Sequence, residues 1–316
     1  MNQRCLYCYQ SLSEHEQDFH AKCCKKFFGT TTPPQLALGK EELQEMARRL
    51  IVQSVAVTGV QPKLSLDLEK VDARTSRLTV VGLWGGFILK PPTDHFESLP
   101  ENEDLTMKLA DLCGIKTAAH TLIRLQSGEL AYLTKRFDRQ GNRKIHTEDL
   151  CQLTETLTEH KYRGSIEKVG KTIRAYTTNK GLDALALFEL VFFCFITGNA
   201  DMHLKNFSLI RFDNGEVALS PAYDLLSTKL AMPEDVEESA LTINGKKNRL
   251  KRADFDELAT KLGIPTKSAE RVYAKFAKKQ AAMIDLIQVS FLSNAMKEEY
   301  SKLLRERFIR IEKLSV

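Results

Sequence analysis

Asp201 and Asn206 stand five residues apart in the run Gly198-Asn199-Ala200-Asp201-Met202-His203-Leu204-Lys205-Asn206. Asp224 follows beyond a strand, a turn and a second strand. Phosphoryl transfer needs one acceptor near the attacking oxygen and oxygen ligands for Mg²⁺, and this spacing lets one short hairpin supply all three groups. The flanks are apolar: Phe192, Phe193, Phe195 and Ile196 before the loop, Phe207, Leu209 and Ile210 after it. Polar groups in such a setting need partners. Asp201 is read as the base or hydroxyl-orienting group, with Asn206 and Asp224 as Mg²⁺ ligands. Lys205 is in reach of a terminal phosphate, and His203 either supports the loop or is a packed histidine.

Two upstream features fit the same chemistry. Lys90 ends the apolar strand Phe87-Ile88-Leu89 just before Pro91-Pro92. A lysine so placed can aim its ammonium at the α- and β-phosphates of a nucleotide, though many strand-end lysines are merely solvated. An acidic helix follows, with Glu101 and Glu103 in its first turn, where the helix dipole favours negative charge anyway; Glu103 is the candidate partner of Lys90. Val57 to Lys63 forms a turn in which Gly59 permits close backbone approach to phosphates, and an ordinary hairpin turn fits equally well.

The elements that must position these groups fall into two halves. Helical spacing of Leu43, Met46, Ala47 and Leu50 predicts a short helix from Gly39 to Val52. From Ser54 to Lys90 the pattern turns β-like, with alternation over Lys63 to Leu68 and Arg77 to Leu83 and a Gly85-Gly86 turn. A helix from Glu101 to Leu112 stops at Gly114, and strands are expected over His120 to Leu125 and Glu129 to Lys135. Helices then dominate: near Thr147 to Leu157, near Ile166 to Tyr176, Asp183 to Thr197, and three between Arg252 and Ser315. The predicted fold class is α+β, two-lobed and kinase-like, with a strand-rich N-lobe, an all-helical C-lobe and the nucleotide between them. Boundaries are expected at residues 1–30, a Cys-rich segment, 31–135, the N-lobe, and 136–316, the C-lobe.

At 316 residues the chain is long enough for two lobes. Charge of +5 is mild and dispersed, which fits an acidic or nucleotide-bearing partner without demanding nucleic acid. The N-terminus lacks the apolar core of a signal peptide, and the longest apolar run, Ala184 to Thr197, holds Glu189 and is too short to span a bilayer. Seven cysteines, an odd number and several within apolar segments, argue against a disulfide scaffold and for a reducing cytoplasm. Four of them lie in the first thirty residues. Cys5-x-x-Cys8 followed by His20-x-x-Cys23 has the spacing of a structural Zn²⁺ site, while Phe19, Phe27 and Phe28 offer the alternative of cysteines buried as small hydrophobes. Lys246, Lys247, Arg249, Lys251 and Arg252 form a basic cluster, expected to be a solvated face and alternatively a contact for a polyanion or an acidic partner.

Seven segments together resemble the HipA family of Ser/Thr kinase toxins: Gly59 to Lys63, Phe87 to Pro91, Asn102-Glu103, Lys135-Arg136-Phe137-Asp138-Arg139, Glu148 to Gln152, Gly198 to Ser208 and Pro221 to Asp224. The chain looks most like HipT, the kinase of three-part HipB–HipS–HipT toxin–antitoxin modules. The resemblance implies ATP and Mg²⁺ as cofactors, with Lys90 on the ATP phosphates and Gly59 to Lys63 in the phosphate loop. It implies a hinge at Lys135 and Phe137 contacting adenine through the backbone, and Asp138 facing the nucleotide. Asp201 would be the catalytic aspartate, and Asn206 and Asp224 the metal ligands. Ser54 would be an autophosphorylated serine; in Ser54-Val55-Ala56 the second position, often serine in HipT, is alanine. Implied partners are an aminoacyl-tRNA synthetase substrate (tryptophanyl- or glutamyl-) and HipS-like and HipB-like antitoxins, with no membrane and DNA only through an antitoxin. The implied location is the cytoplasm, the cell's own or that of a host. The alternatives are a nucleotide-binding pseudokinase scaffold and a zinc-containing nucleic-acid-binding regulator.

Overall fold

A computed structural model describes residues 4–43, 45–46, 63–71, 75–81, 85–141 and 143–312. Ser54 and Gly59 lie outside the described residues. The chain divides into two compact units: Met1–Asp104 with Ala118–Arg143 and Val289–Phe291, and Leu105–Thr117 with Lys144–Gln288 and Leu292–Val316.

The first unit is built on a five-stranded antiparallel sheet. Its strands are β1 (Leu64–Lys70), β2 (Ser76–Val80), β3 (Phe87–Lys90), β4 (His120–Arg124) and β5 (Leu130–Lys135), in the order β2-β1-β3-β5-β4. Alternation in β1 buries Leu64 and Leu66, which join Leu78, Phe87, Leu89, Leu122 and Leu133 in one apolar cluster. Phe19, Phe27 and Phe28 belong to the same cluster, so the N-terminal segment packs on this sheet. The predicted turn at Gly85 has a steric cause: a Cβ there would lie 2.4 Å from the Leu66 carbonyl oxygen. Residues 40–43 and 45–46 are helical, as the spacing predicts. The helix Ala21–Phe28 was not expected.

The second unit is mainly helical around Lys180–Thr197, whose stretch from Leu187 to Ile196 is, apart from Glu189, apolar and buried. Phe192 sits edge-on to Phe255, Tyr273 and Phe276 at centroid distances of 5.4, 5.0 and 5.3 Å. Ile166–Tyr176, Arg252–Lys261, Thr266–Gln288 and Asn294–Ile311 are helices where the periodicity predicts them. The unit also carries a three-stranded sheet, which the all-helical expectation lacked. It joins the predicted hairpin Ser208–Arg211/Val217–Leu219 to the strand Thr147–Asp149. The helix expected over Thr147 to Leu157 shrinks to Leu150–Leu153, because Thr147–Asp149 pairs with Ser208–Ile210 and Asp149 caps the helix that follows. Among the described residues, no helix is long and apolar enough to cross a membrane.

Candidate active site

The central loop begins where the helix Lys180–Thr197 ends. Gly198 takes the left-handed conformation at φ 70°, and its N–H closes the helix on Phe195. A Cβ at this position would meet Leu303 Cδ2 at 2.7 Å and Lys229 Cβ at 3.0 Å, so glycine is needed for space as well as for φ. Asn199 then accepts the Asp201 N–H on its side-chain oxygen at 3.0 Å, and the Ala200 N–H donates to Thr228 Oγ1 at 2.8 Å. These bonds fix the backbone on both sides of Asp201.

Asp201 and Asn206 are joined directly. The Asp201 carbonyl oxygen accepts the His203 N–H at 2.8 Å and Asn206 Nδ2–H at 3.1 Å. With Nδ2 engaged, Asn206 has its Oδ1 left to offer a cation. The Asp201 carboxylate accepts the Tyr162 phenol on Oδ1 at 2.7 Å. Tyr162 also stands edge-on to the His203 ring at 5.0 Å.

Asp224 sits at φ 60°, a left-handed position sparsely occupied outside glycine and often found at functional sites. Burial first, then the hydrogen bond and charge of Asp201 and the charge of Asp224, hold the Tyr162 proton well above the ordinary phenol range. Burial pushes the His203 imidazole down against the opposing pull of Asp201 and Asp224, which favours its neutral form. Both carboxylates therefore act on the same phenol and the same imidazole. Tyr223 anchors the segment carrying Asp224: its hydroxyl donates to the Lys205 carbonyl at 2.8 Å and lies 2.6 Å from Ser208 Oγ. Two hard oxygen donors, Asn206 and Asp224, suit Mg²⁺ rather than a soft-ligand metal. Lys205 does not stand alone, since its ammonium binds Asp149 Oδ2 at 2.9 Å while Asp149 Oδ1 caps the helix Leu150–Leu153.

In the first unit, Lys90 reaches both oxygens of Glu103, at 2.7 and 2.9 Å. Their side chains are 10% and 1% exposed, which rules out the reading of Lys90 as a solvated strand end. Next to Glu103, Asp104 is fully buried and bonds His120 Nδ1 and Tyr9 Oη, each at 2.7 Å. At the expected hinge, the Lys135 N–H donates to the Ala119 carbonyl at 2.7 Å, and the Lys135 carbonyl accepts the Thr134 hydroxyl at 3.4 Å. Lys135 Nζ lies over the rings of Phe27 and Phe87, and burial lowers its pKa. Phe137 is half-buried and Lys63 is exposed. Asp138 is held by Arg136 at 2.7 Å and Arg139 at 2.8 Å; burial alone would raise its pKa, and these guanidiniums keep it below the usual range. Cys5, Cys8, His20 and Cys23 place one ligand atom each within 4.8 Å of the others.

The basic cluster is largely neutralised within the fold. Lys246 pairs with Asp254, Lys247 with Glu237, and Arg252 with Asp256 and Glu270. Sequence reasoning missed Tyr162, Asp149 and Thr228, whose roles depend on contacts 39, 56 and 28 residues away along the chain.

The model of the HipA-like C-terminal domain matches residues 55–284. The chain belongs to this family. HipA, the serine/threonine-protein kinase toxin of Shewanella oneidensis, is 30% identical over 58% of this HipA-like chain and 45% of its own length. Y4dM of Sinorhizobium fredii, a kinase by inference, is 34% identical over 65% of this chain and 52% of its own. The chain thus spans about half the length of the curated relatives it matches. Among solved structures, the Shewanella oneidensis complex of HipA, HipB and operator DNA gives a TM-score of 0.69 at 21% identity, covering 87% of this chain and 71% of that one. The Helicobacter pylori proinflammatory kinase CtkA gives 0.52 at 16% identity, covering 71% and 87%. The fold is therefore HipA-like, mixed from strands and helices.

Proposed function

We propose that this chain is an ATP- and Mg²⁺-dependent protein serine/threonine kinase acting as a toxin of the HipA type. The observation that carries the reading is the buried pair of Lys90 and Glu103, an ammonium clamped by both oxygens of a helix carboxylate at the end of a strand. Such a pair costs desolvation that apolar residues would avoid, so a functional use for the lysine accounts for it. In kinases the equivalent pair positions the nucleotide phosphates.

Asp201 orients the serine hydroxyl and takes its proton, with Tyr162 fixing one carboxylate oxygen and leaving the other to the incoming hydroxyl. Asn206 and Asp224 would hold Mg²⁺, which would supply positive charge to offset that of the nucleotide phosphates. Lys90 holds the phosphates in line, and positioning with electrostatic stabilisation supplies most of the rate. Gly59 and Lys63 serve the phosphate loop. Lys135 and Phe137 contact adenine, and Asp138 braces the hinge through Arg136 and Arg139. His203, its neutral form favoured, stands edge-on to Tyr162, and Lys205 steadies the loop through Asp149. Residues 31–135 and 136–316 act as N- and C-lobes.

The substrate is a serine on an aminoacyl-tRNA synthetase, the partners are HipS-like and HipB-like antitoxins, and the site of action is the cytoplasm. Ser54 is the autophosphorylation site, where close to two negative charges oppose nucleotide binding. The internal pairing of Lys246, Lys247 and Arg252 disfavours the nucleic-acid-binding alternative. The test is intact-mass spectrometry after incubation of the dephosphorylated chain with Mg²⁺ and ATP, beside Asp201→Asn, with peptide mapping and with synthetases as acceptors. One phosphate at Ser54, or on a synthetase, with the wild type alone supports the reading. ATP binding without transfer to any acceptor would make the chain a scaffold.

A further inference from the structure

Two short elements of the N-terminal segment present four soft ligands to one point. Cys5 and Cys8 flank a tight turn in which the Tyr9 N–H donates to the Cys5 carbonyl and the Cys5 N–H to the Gln10 carbonyl, both at 2.9 Å. His20 and Cys23 come from the start of the helix Ala21–Phe28. His20 occupies the N-cap, where Ser, Asp or Asn is preferred, and its side chain makes no capping bond. The ring turns to the thiols instead: Nδ1 lies 3.3 Å from Cys8 Sγ and 3.7 Å from Cys23 Sγ. Its other nitrogen, Nε2, is 3.1 Å from the Ser11 carbonyl. A carbonyl can only accept, so this bond places a proton on Nε2, and the neutral ring with that tautomer presents the Nδ1 lone pair to the sulfurs. Metal-bound histidines are oriented by such an outer bond.

Cys24 shows what a merely packed cysteine looks like in this segment. It is fully buried, its Sγ is 3.9 Å from Thr30 Oγ1, and it stays outside the group of four. Cys5 and Cys23 belong to the apolar cluster and Cys8 packs against it, but the half-buried His20 is no part of that cluster, so apolar packing does not account for an imidazole turned onto the thiols. The turn also carries backbone strain: Tyr9, a bulky residue directly after Cys8, sits at φ 62°. Its phenol is anchored on Asp104 at 2.7 Å and its ring stands edge-on to Phe291 at 5.0 Å.

We propose that Cys5, Cys8, His20 and Cys23 bind one Zn²⁺ as a closed structural site. Three thiolates and one imidazole are the tetrahedral set that zinc takes, and four protein ligands leave no position open for chemistry. Each thiol gives up its proton on binding, and no redox change occurs. The metal closes the loop from Cys5 to Cys23 and fixes the strained turn whose Tyr9 reaches Asp104, the neighbour of Glu103. It thereby braces the segment that packs against the sheet, whether or not the chain transfers phosphate.

The experiment is elemental analysis and native mass spectrometry of the untagged full chain purified from zinc-containing medium, beside Cys8→Ser and Cys24→Ser. About one zinc per chain is expected in the wild type and in Cys24→Ser, falling below about a tenth in Cys8→Ser. A wild type without zinc, a Cys5–Cys8 disulfide, or undiminished zinc in a folded Cys8→Ser would each overturn the proposal. Should Cys8→Ser fail to fold, cobalt exchange into the wild type decides. Thiolate-to-metal charge-transfer bands with tetrahedral ligand-field bands support the site, and their absence overturns it.

Discussion

The two units each hold a charged group at 2.7 Å from its partner: Lys90 on Glu103, and Tyr162 on Asp201. The pairs are otherwise opposite. Glu103 is 1% exposed and spends both oxygens on one ammonium, and the neighbouring Asp104 is likewise engaged by His120 and Tyr9. Asp201 is half-buried, its partner Tyr162 is 42% exposed, and its Oδ2 takes no hydrogen bond from the described residues. At the same loop, Asn199 Nδ2 and His203 Nδ1 are buried without a hydrogen-bond partner among the described residues. A closed pair holds a position, whereas an open one keeps acceptor capacity for something that arrives. On the proposed function, the contrast would separate a group that orients phosphates from a group that handles a proton.

The largest effect is expected at the open pair. Asp201→Asn keeps the shape and the Tyr162 hydrogen bond but removes the proposed base, and should slow phosphoryl transfer by about 10²–10⁴-fold. Phosphate incorporation followed by intact mass measures this, and calorimetric titration with ATP should show binding retained. Transfer at the wild-type rate would remove Asp201 from the chemistry.

At the closed pair the expected loss is in stability. Lys90→Met leaves Glu103 buried without its cation and should cost about 3–5 kcal/mol in urea unfolding. Lys90→Met with Glu103→Leu should recover most of that loss, because an apolar pair of similar volume avoids desolvation. A double variant as unstable as the single one would mean that other contacts of Glu103 dominate.

The difference between the regions also governs what the sequence revealed. Asp201 and Asn206 were legible because their relation is local, five residues within one loop. Ile166–Tyr176 was legible because helical periodicity is local too. Thr147–Asp149 was misread as helical because its state is set by pairing with Ser208–Ile210, some sixty residues on, and a local pattern carries no trace of that pairing. Tyr162 was missed for the same reason, as was the network of Tyr9, Asp104 and His120, whose members are 95 and 16 residues apart. The helix Ala21–Phe28 escaped because its cysteines and phenylalanines read as ligands or core before they read as one helical face. Lys90 and Glu103 fell between these cases: each was a candidate, and only the fold could show that they meet.

Within the closed region, Glu101 tests how far burial without a strong partner perturbs a carboxyl. Burial first, with the charges of Asp104 and Glu97, raises its pKa to about 7. A carboxyl raised on folding stabilises the protein below its unfolded pKa near 4.5, and that contribution is lost as pH rises through about 7. Glu101→Gln should flatten the urea-unfolding profile across this window and raise stability at pH 8 by on the order of 2 kcal/mol. An unchanged profile would mean that the carboxyl is solvated.

The smallest effect is the sharpest for the comparison. Tyr162→Phe keeps the ring against His203 and removes only the hydroxyl that holds Asp201 Oδ1. Tyr162 is 42% exposed and Asp201 is only half-buried, so water can replace the lost hydroxyl on Oδ1, and stability should change by less than about 1 kcal/mol. Asp201 would then sample orientations in which its free oxygen no longer meets the incoming hydroxyl. Turnover should fall by about tenfold while the KM for ATP stays constant if, as proposed, that tyrosine serves the proton and not the nucleotide. A rise in KM at constant kcat would place Tyr162 on the nucleotide instead. The open pair would then be a binding device like the closed one, and the division of labour between the two regions would fail.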